Sequence, residues 1–164
     1  MNMKRISTKL TNKFLLIFFI ICSAVYADKK IDLVKVDKSS KKMFLMSGNQ
    51  VIKIYDISLG IDPIGHKGKS GDNKTPEGIY TLDYKNSQSI YYKSIHISYP
   101  NEKDKAAAAQ KGWDPGGDIT IHGQKKGSLS KEEWTEGCIG VTNEEMDEIW
   151  ELLQLPVTII IEPR

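Results

Sequence analysis

The chain has 164 residues, of which 40% are hydrophobic and 27% charged, a composition that suits one folded domain and excludes disorder throughout. Its formal charge of +2 is unevenly placed, because Lys4, Arg5, Lys9 and Lys13 all precede the first acidic residue. Without residues 1 to 27 the 23 Lys and Arg fall by four, below the 21 Asp and Glu, so the remainder is net acidic and lacks the overall basic charge expected of a nucleic-acid-binding domain.

Those first residues read as a secretory signal peptide. The four cations are followed by an apolar run from Phe14 to Val25, with Val25 and Ala27 at the minus-three and minus-one positions of an A-x-A-like cleavage site. The run is shorter than the roughly 20 apolar residues that a bilayer span needs, which favours cleavage over a retained anchor and leaves no stable membrane span afterwards. A bulky Ile21 before Cys22 argues against lipid attachment there. The expected organisation is a signal peptide over 1–27 and one exported domain over 28–164, in the periplasm or cell envelope. Cys22 leaves with the signal, so Cys138 is the single thiol of the mature domain and no internal disulfide forms. An unpaired Cys in an exported protein is either a buried inert hydrophobe or a reactive group.

Branched and apolar residues at Ile31 to Val36, Met43 to Met46 and Val51 to Leu59, separated by turn formers at Ser39-Ser40 and Gly48-Asn49, predict an antiparallel meander. Residues 60 to 78 hold five Gly and two Pro and predict a long loop, in which His66 reads as a solvated residue. Strands resume at about Ile79 to Tyr84 and Ser94 to Tyr99, where His96 alternates with Ile95 and Ile97 and faces outward. The stretch Glu102 to Lys111, with four consecutive Ala before Gly112, predicts a helix. Ile119 to Ile121 form a buried strand ending at His122. Thr142 and Glu145 make a capping box for a helix whose Met146, Ile149, Trp150 and Leu153 share a face. Pro156 stops it, and Val157 to Ile161 form the last strand. The fold class is mostly β, with two or three short helices.

Two segments carry candidate chemistry, ITIHG at Ile119 to Gly123 and TEGCIGVTN at Thr135 to Asn143. A Gly beside a nucleophile lets the chain turn sharply, exposing the sulfur and turning nearby N–H groups toward a developing oxyanion. Gly137, Ile139 and Gly123 are the candidates for oxyanion or turn support. A thiol with an ordinary pKa of about 8.5 is mostly protonated at neutral pH and needs a base or cation nearby. His122 is the candidate base, although a lone His at a strand end is more often a plain hydrogen-bonded residue. Glu136, Glu132, Glu133 and Thr135 are candidates for orienting the ring or touching substrate; a solvated acidic turn is the simpler reading of the three carboxylates.

The order IHG, then a connector of a dozen or so residues, then [S/T]-x-G-C and an apolar residue resembles the signature of the YkuD-type L,D-transpeptidase family. GDNKTPEGIY at Gly71 to Tyr80 is similar to its T-P-x-G segment, and SYPNEKDKAAAAQKGWDPGGDITIHG and WTEGCIGVTNEEMDEIW resemble the branch with a P-G-G turn. The resemblance covers about residues 31 to 161 and implies a β-sandwich-like catalytic domain. It implies that Cys138 attacks the carbonyl joining the third residue of a peptidoglycan stem peptide to D-alanine, with His122 as general base and then acid. D-Alanine leaves, and an amine from a second stem or a wall-linked lipoprotein takes the acyl group. No metal or organic cofactor is implied. Two positions depart from the family pattern: Glu136 stands where most members have His, and Gly140 where many have Arg. The missing Arg removes a fork for a substrate carboxylate, a charge that Lys125 or Lys126 could supply. Hydrolysis of the same thioester, giving a carboxypeptidase or an enzyme releasing wall-bound lipoprotein, and a non-catalytic peptidoglycan-binding envelope protein are the competing expectations.

Overall fold

Alternation decides which face the early strands bury. In β1 (Leu33–Asp37) and β2 (Lys42–Ser47) every second residue turns inward, so Val34, Val36, Met43 and Leu45 are buried, and a tight turn through Lys41 at φ 53° joins the two. β3 (Gln50–Asp56) continues the antiparallel meander, with a register shift between Leu45 and Met46. The structure is a computed structural model that describes residues 29–128 and 134–164; the signal-peptide expectation for 1–27 and the candidates Glu132 and Glu133 lie outside the described residues.

The remaining elements are β4 (Gly78–Asn86), β5 (Ser94–Ile97), α1 (Glu102–Gln110), β6 (Thr120–His122), β7 (Ile139–Gly140), α2 (Asn143–Leu152) and β8 (Val157–Glu162). The protein is mostly β with two helices among the described residues, and its strands form one curled eight-stranded sheet in the order β3-β2-β1-β8-β4-β5-β6-β7. β8, the last strand in sequence, lies at the centre. It runs parallel to β1 and antiparallel to β4, and its Val157, Ile159 and Ile161 are buried. A run of β-branched residues suits a strand paired on both edges.

α2 gives the core its helical cover. Thr142 and Glu145 exchange the reciprocal bonds of a capping box, and Met146, Ile149 and Leu153 are completely or almost completely buried. Its last turn is held by Lys85, whose Nζ donates to the carbonyls of Trp150 and Leu153, a cation placed at the negative end of the helix. α1 has little apolar face, burying only Asp104 and Ala108, so its position depends on polar contacts. Asn101 and Asp104 form its capping box, and Asp104 also accepts from the Tyr80 hydroxyl at 3.0 Å.

The long loop between β3 and β4 is anchored at several points. The buried Lys38 ammonium donates to the carbonyls of Gly65 and Thr75 and to Glu77 Oε1 at 2.9, 2.9 and 2.7 Å. Burial lowers the Lys38 pKa, and Glu77 opposes that shift. His66 is exposed yet tethered: its Nδ1 accepts the Glu77 N–H at 3.0 Å and its Nε2 lies 3.2 Å from Asp104. His96 faces outward, stacked on Tyr84 with its Nδ1 2.7 Å from Asp83.

Candidate active site

β6 and β7 are short parallel neighbours with Ile121 opposite Ile139 and His122 opposite Gly140. Extending that register by one places Cys138 beside Thr120. Side chains alternate along a strand, so Thr120, His122 and Cys138 project from the same face while Ile121 and Ile139 are buried on the other. The contacts agree with this register: the Cys138 sulfur accepts from the Thr120 N–H at 3.4 Å and the Thr120 hydroxyl at 3.7 Å, and its S–H donates toward the Asp118 carbonyl at 3.6 Å. Cys138 and His122 line one cleft of about 750 Å³, with Lys67, Tyr91, Asp118 and Trp134 around them.

The thiol is partly exposed. Burial pushes its pKa up, while the two Thr120 donors and the positive charge of Lys67 pull it back and Asp118 raises it. At neutral pH the sulfur is therefore a thiol, and its nucleophilicity depends on a base. The ring of His122 is fixed by a backbone carbonyl. Its Nδ1 lies 2.7 Å from the Gly123 carbonyl, which can only accept, so Nδ1 carries the hydrogen and Nε2 is the basic nitrogen. Tyr91 packs on the ring at a centroid distance of 4.4 Å.

The turn bearing Cys138 is built by Thr135 and two glycines. Thr135 is buried; its hydroxyl donates to the Cys138 carbonyl at 2.7 Å and accepts the Gly137 N–H at 3.1 Å. Its backbone pairs with Leu59 and Ile61, stitching the turn to the start of the long loop. Gly137 adopts φ +135°, and a Cβ there would lie 2.7 Å from the Lys74 carbonyl oxygen, so only glycine fits. Gly140 exchanges two backbone bonds with Ser58, and a Cβ on it would meet the Ser58 Cβ at 3.3 Å. That close approach leaves little room for the family's Arg at this position.

Among the sequence candidates, Cys138, His122, Thr135 and Glu136 all line the cleft. Glu136 is exposed and bonds to no other described residue, whereas the ring is oriented by the Gly123 carbonyl. The N–H groups of Gly137 and Gly123 are engaged, with Thr135 Oγ1 and the Lys93 carbonyl respectively, which suits turn support rather than an oxyanion. Ile139 is buried in β7. Lys125 lines the cleft, while the Lys126 backbone bonds to Ile90. Sequence reasoning missed Thr120, Tyr91, Lys67 and Asp118. Thr120 was accessible in principle, since strand alternation puts it on the face of His122. The described residues contain no cluster of His, Cys, Asp and Glu able to hold a metal ion.

A curled β-domain that brings a thiol at the start of one strand and an imidazole on its neighbour into one cleft defines the class of protein. Residues 31–161 match the L,D-transpeptidase catalytic domain family (YkuD), and the chain belongs to that family, which acts on peptidoglycan. It is 32% identical over 106 residues to YafK of Escherichia coli strain K12, a match covering 63% of this chain and 38% of that protein. The helical cell shape determining protein Pgp2 of Campylobacter jejuni superposes with a TM-score of 0.68 at 27% identity, over 84% of this chain and 49% of that one. An L,D-transpeptidase from Xylanimonas cellulosilytica superposes with a TM-score of 0.54 at 16% identity, over 82% of this chain and 62% of that one, a likeness of fold alone. The chain thus spans less than half the length of YafK and Pgp2.

Proposed function

We propose that the protein is an L,D-transpeptidase that transfers an acyl group from a peptidoglycan stem peptide through a thioester on Cys138. The observation that carries this reading is the shared face of β6 and β7, which presents Cys138 and His122 to one cleft. His122 Nε2 takes the thiol proton, and the sulfur attacks the carbonyl that joins the third stem residue to D-alanine. As negative charge forms on sulfur, the two Thr120 donors already point at it, while the Asp118 contact, which needs the S–H, is lost. The backbone N–H of Cys138, which donates to no other described residue, is the donor available to the developing oxyanion. Collapse of the tetrahedral intermediate breaks the C–N bond, and the imidazolium returns its proton to the departing amine of D-alanine. An amine from a second stem or from a wall-linked lipoprotein then attacks the thioester, the C–S bond breaks, and the amine's proton passes through His122 Nε2 to the departing sulfur.

The reading places the mature protein outside the cytoplasm after loss of residues 1–27, in the envelope where its substrate lies. The likeness to Pgp2 extends the proposal to wall remodelling that determines cell shape. Mass spectrometry of purified muropeptides incubated with the wild-type and Cys138→Ala proteins tests it. New cross-links or amine exchange with wild type, absent with the variant, are expected. Trimmed products alone would assign hydrolysis instead, and identical muropeptides in both samples would refute the enzyme.

A further inference from the structure

Four charged side chains line the cleft, and three of them, Lys125, Asp118 and Glu136, are exposed. Lys67 differs. It is 3% exposed, and its ammonium donates to Asp72 Oδ1 at 2.9 Å and to the Lys69 carbonyl at 3.2 Å. An ammonium has three N–H donors, so one remains for a molecule entering the cleft. Asp72 is itself held in place: its carboxylate also accepts from the backbone N–H groups of Gly68, Lys69 and Lys74 at 2.8, 3.0 and 3.1 Å. The ammonium is therefore a fixed positive charge, already ordered before any ligand arrives. Lys67 and Cys138 line the same cleft.

The cleft needs such a charge. Asp118 and Glu136 repel an anionic ligand, and Gly140, packed on Ser58, offers no guanidinium. Lys125 is an exposed surface side chain, whereas Lys67 is buried and held by its partners within the loop that abuts the Cys138 turn through Gly60 and Gly137. We infer that Lys67 is the specificity-determining cation of the cleft, receiving the terminal carboxylate of the residue expelled when Cys138 is acylated. This rests on the acyl-transfer reading, but recognition can be measured without turnover.

The test uses Cys138→Ala protein and calorimetric binding of two synthetic stem tetrapeptides, one ending in D-alanine carboxylate and one in the carboxamide. The carboxylate is expected to bind on the order of tenfold more tightly, the size of one hydrogen bond between charged groups. Lys67→Met in the same background should abolish the difference, and Lys67→Arg should retain part of it. Equal binding of the two peptides to the Cys138→Ala protein, or no binding of either, overturns the inference even if Lys67→Met fails to fold. Discrimination that survives Lys67→Met in a folded protein overturns it as well. If discrimination follows Lys67 but wild-type protein leaves muropeptides unchanged, the recognition role stands and the acyl-transfer reading fails.

Discussion

Replacing Thr135 with Val tests whether the Cys138 turn is held as described. The two side chains have nearly the same shape, so the change removes a hydroxyl from a buried position without opening a cavity. Two hydrogen bonds go with it, the 2.7 Å bond to the Cys138 carbonyl and the 3.1 Å bond from the Gly137 N–H. A buried backbone group left unsatisfied costs about 1–3 kcal/mol, and partial access of the Cys138 carbonyl to water from the cleft favours the lower half of that range for one of the two. The expected loss is about 2–5 kcal/mol. For a domain of this size each kcal/mol lowers Tm by about 2–4 °C, so Tm should fall by roughly 4–20 °C. Alkylation of Cys138 by iodoacetamide should also change rate, because the sulfur loses its fixed position relative to Thr120 and His122. A Tm within about 2 °C of wild type, with unchanged alkylation, would refute the assignment of Thr135 as the staple of this turn.

Two further predictions concern charge. Burial raises the Cys138 pKa in the folded protein, so between the unfolded and folded values the native state holds a proton that the unfolded chain has released. Stability contributed by the thiol is then present below the unfolded value and declines as pH rises through the folded one. Urea midpoints of wild type and Cys138→Ser should therefore shift against each other between pH 7 and 10, wild type losing more; parallel midpoints would contradict the burial of the sulfur. Asp72 is the opposite case: burial raises its pKa, but the N–H of Gly68, the Lys67 ammonium and the N–H groups of Lys69 and Lys74 outweigh that and hold it below the usual carboxylate range. Its contribution is present above the unfolded value and lost as pH falls through the folded one. Asp72→Asn leaves Lys67 buried without its counter-ion and should cost about 3 kcal/mol at pH 7, a deficit that shrinks under strongly acidic conditions. A pH-independent difference in urea midpoint would argue that Asp72 acts by shape alone.

Much of the scaffold is written locally. The capping box of α2 needs only Thr142 and Glu145 three residues apart, and alternation along β1 and β2 marks Val34, Val36, Met43 and Leu45 as inward-facing. α1 was legible from its Ala run, although its cap at Asn101 and the burial of Asp104 were not. The parallel pairing of β1 with β8 joins the two ends of the domain, and no periodicity within either segment encodes a partner more than a hundred residues away.

The sequence by itself determined that a glycine precedes the thiol, that a histidine ends an apolar strand and that both fall within motifs in a family order. Only the tertiary structure decided that the two strands are neighbours in a register that turns both side chains to one cleft, that the Gly123 carbonyl fixes the imidazole tautomer, and that a buried ammonium from a distant loop shares the site. The reason is one of range. Propensity, capping and turn chemistry act over three or four residues, whereas the acidity of a thiol and the reach of a base depend on burial and on charges that arrive from other parts of the chain.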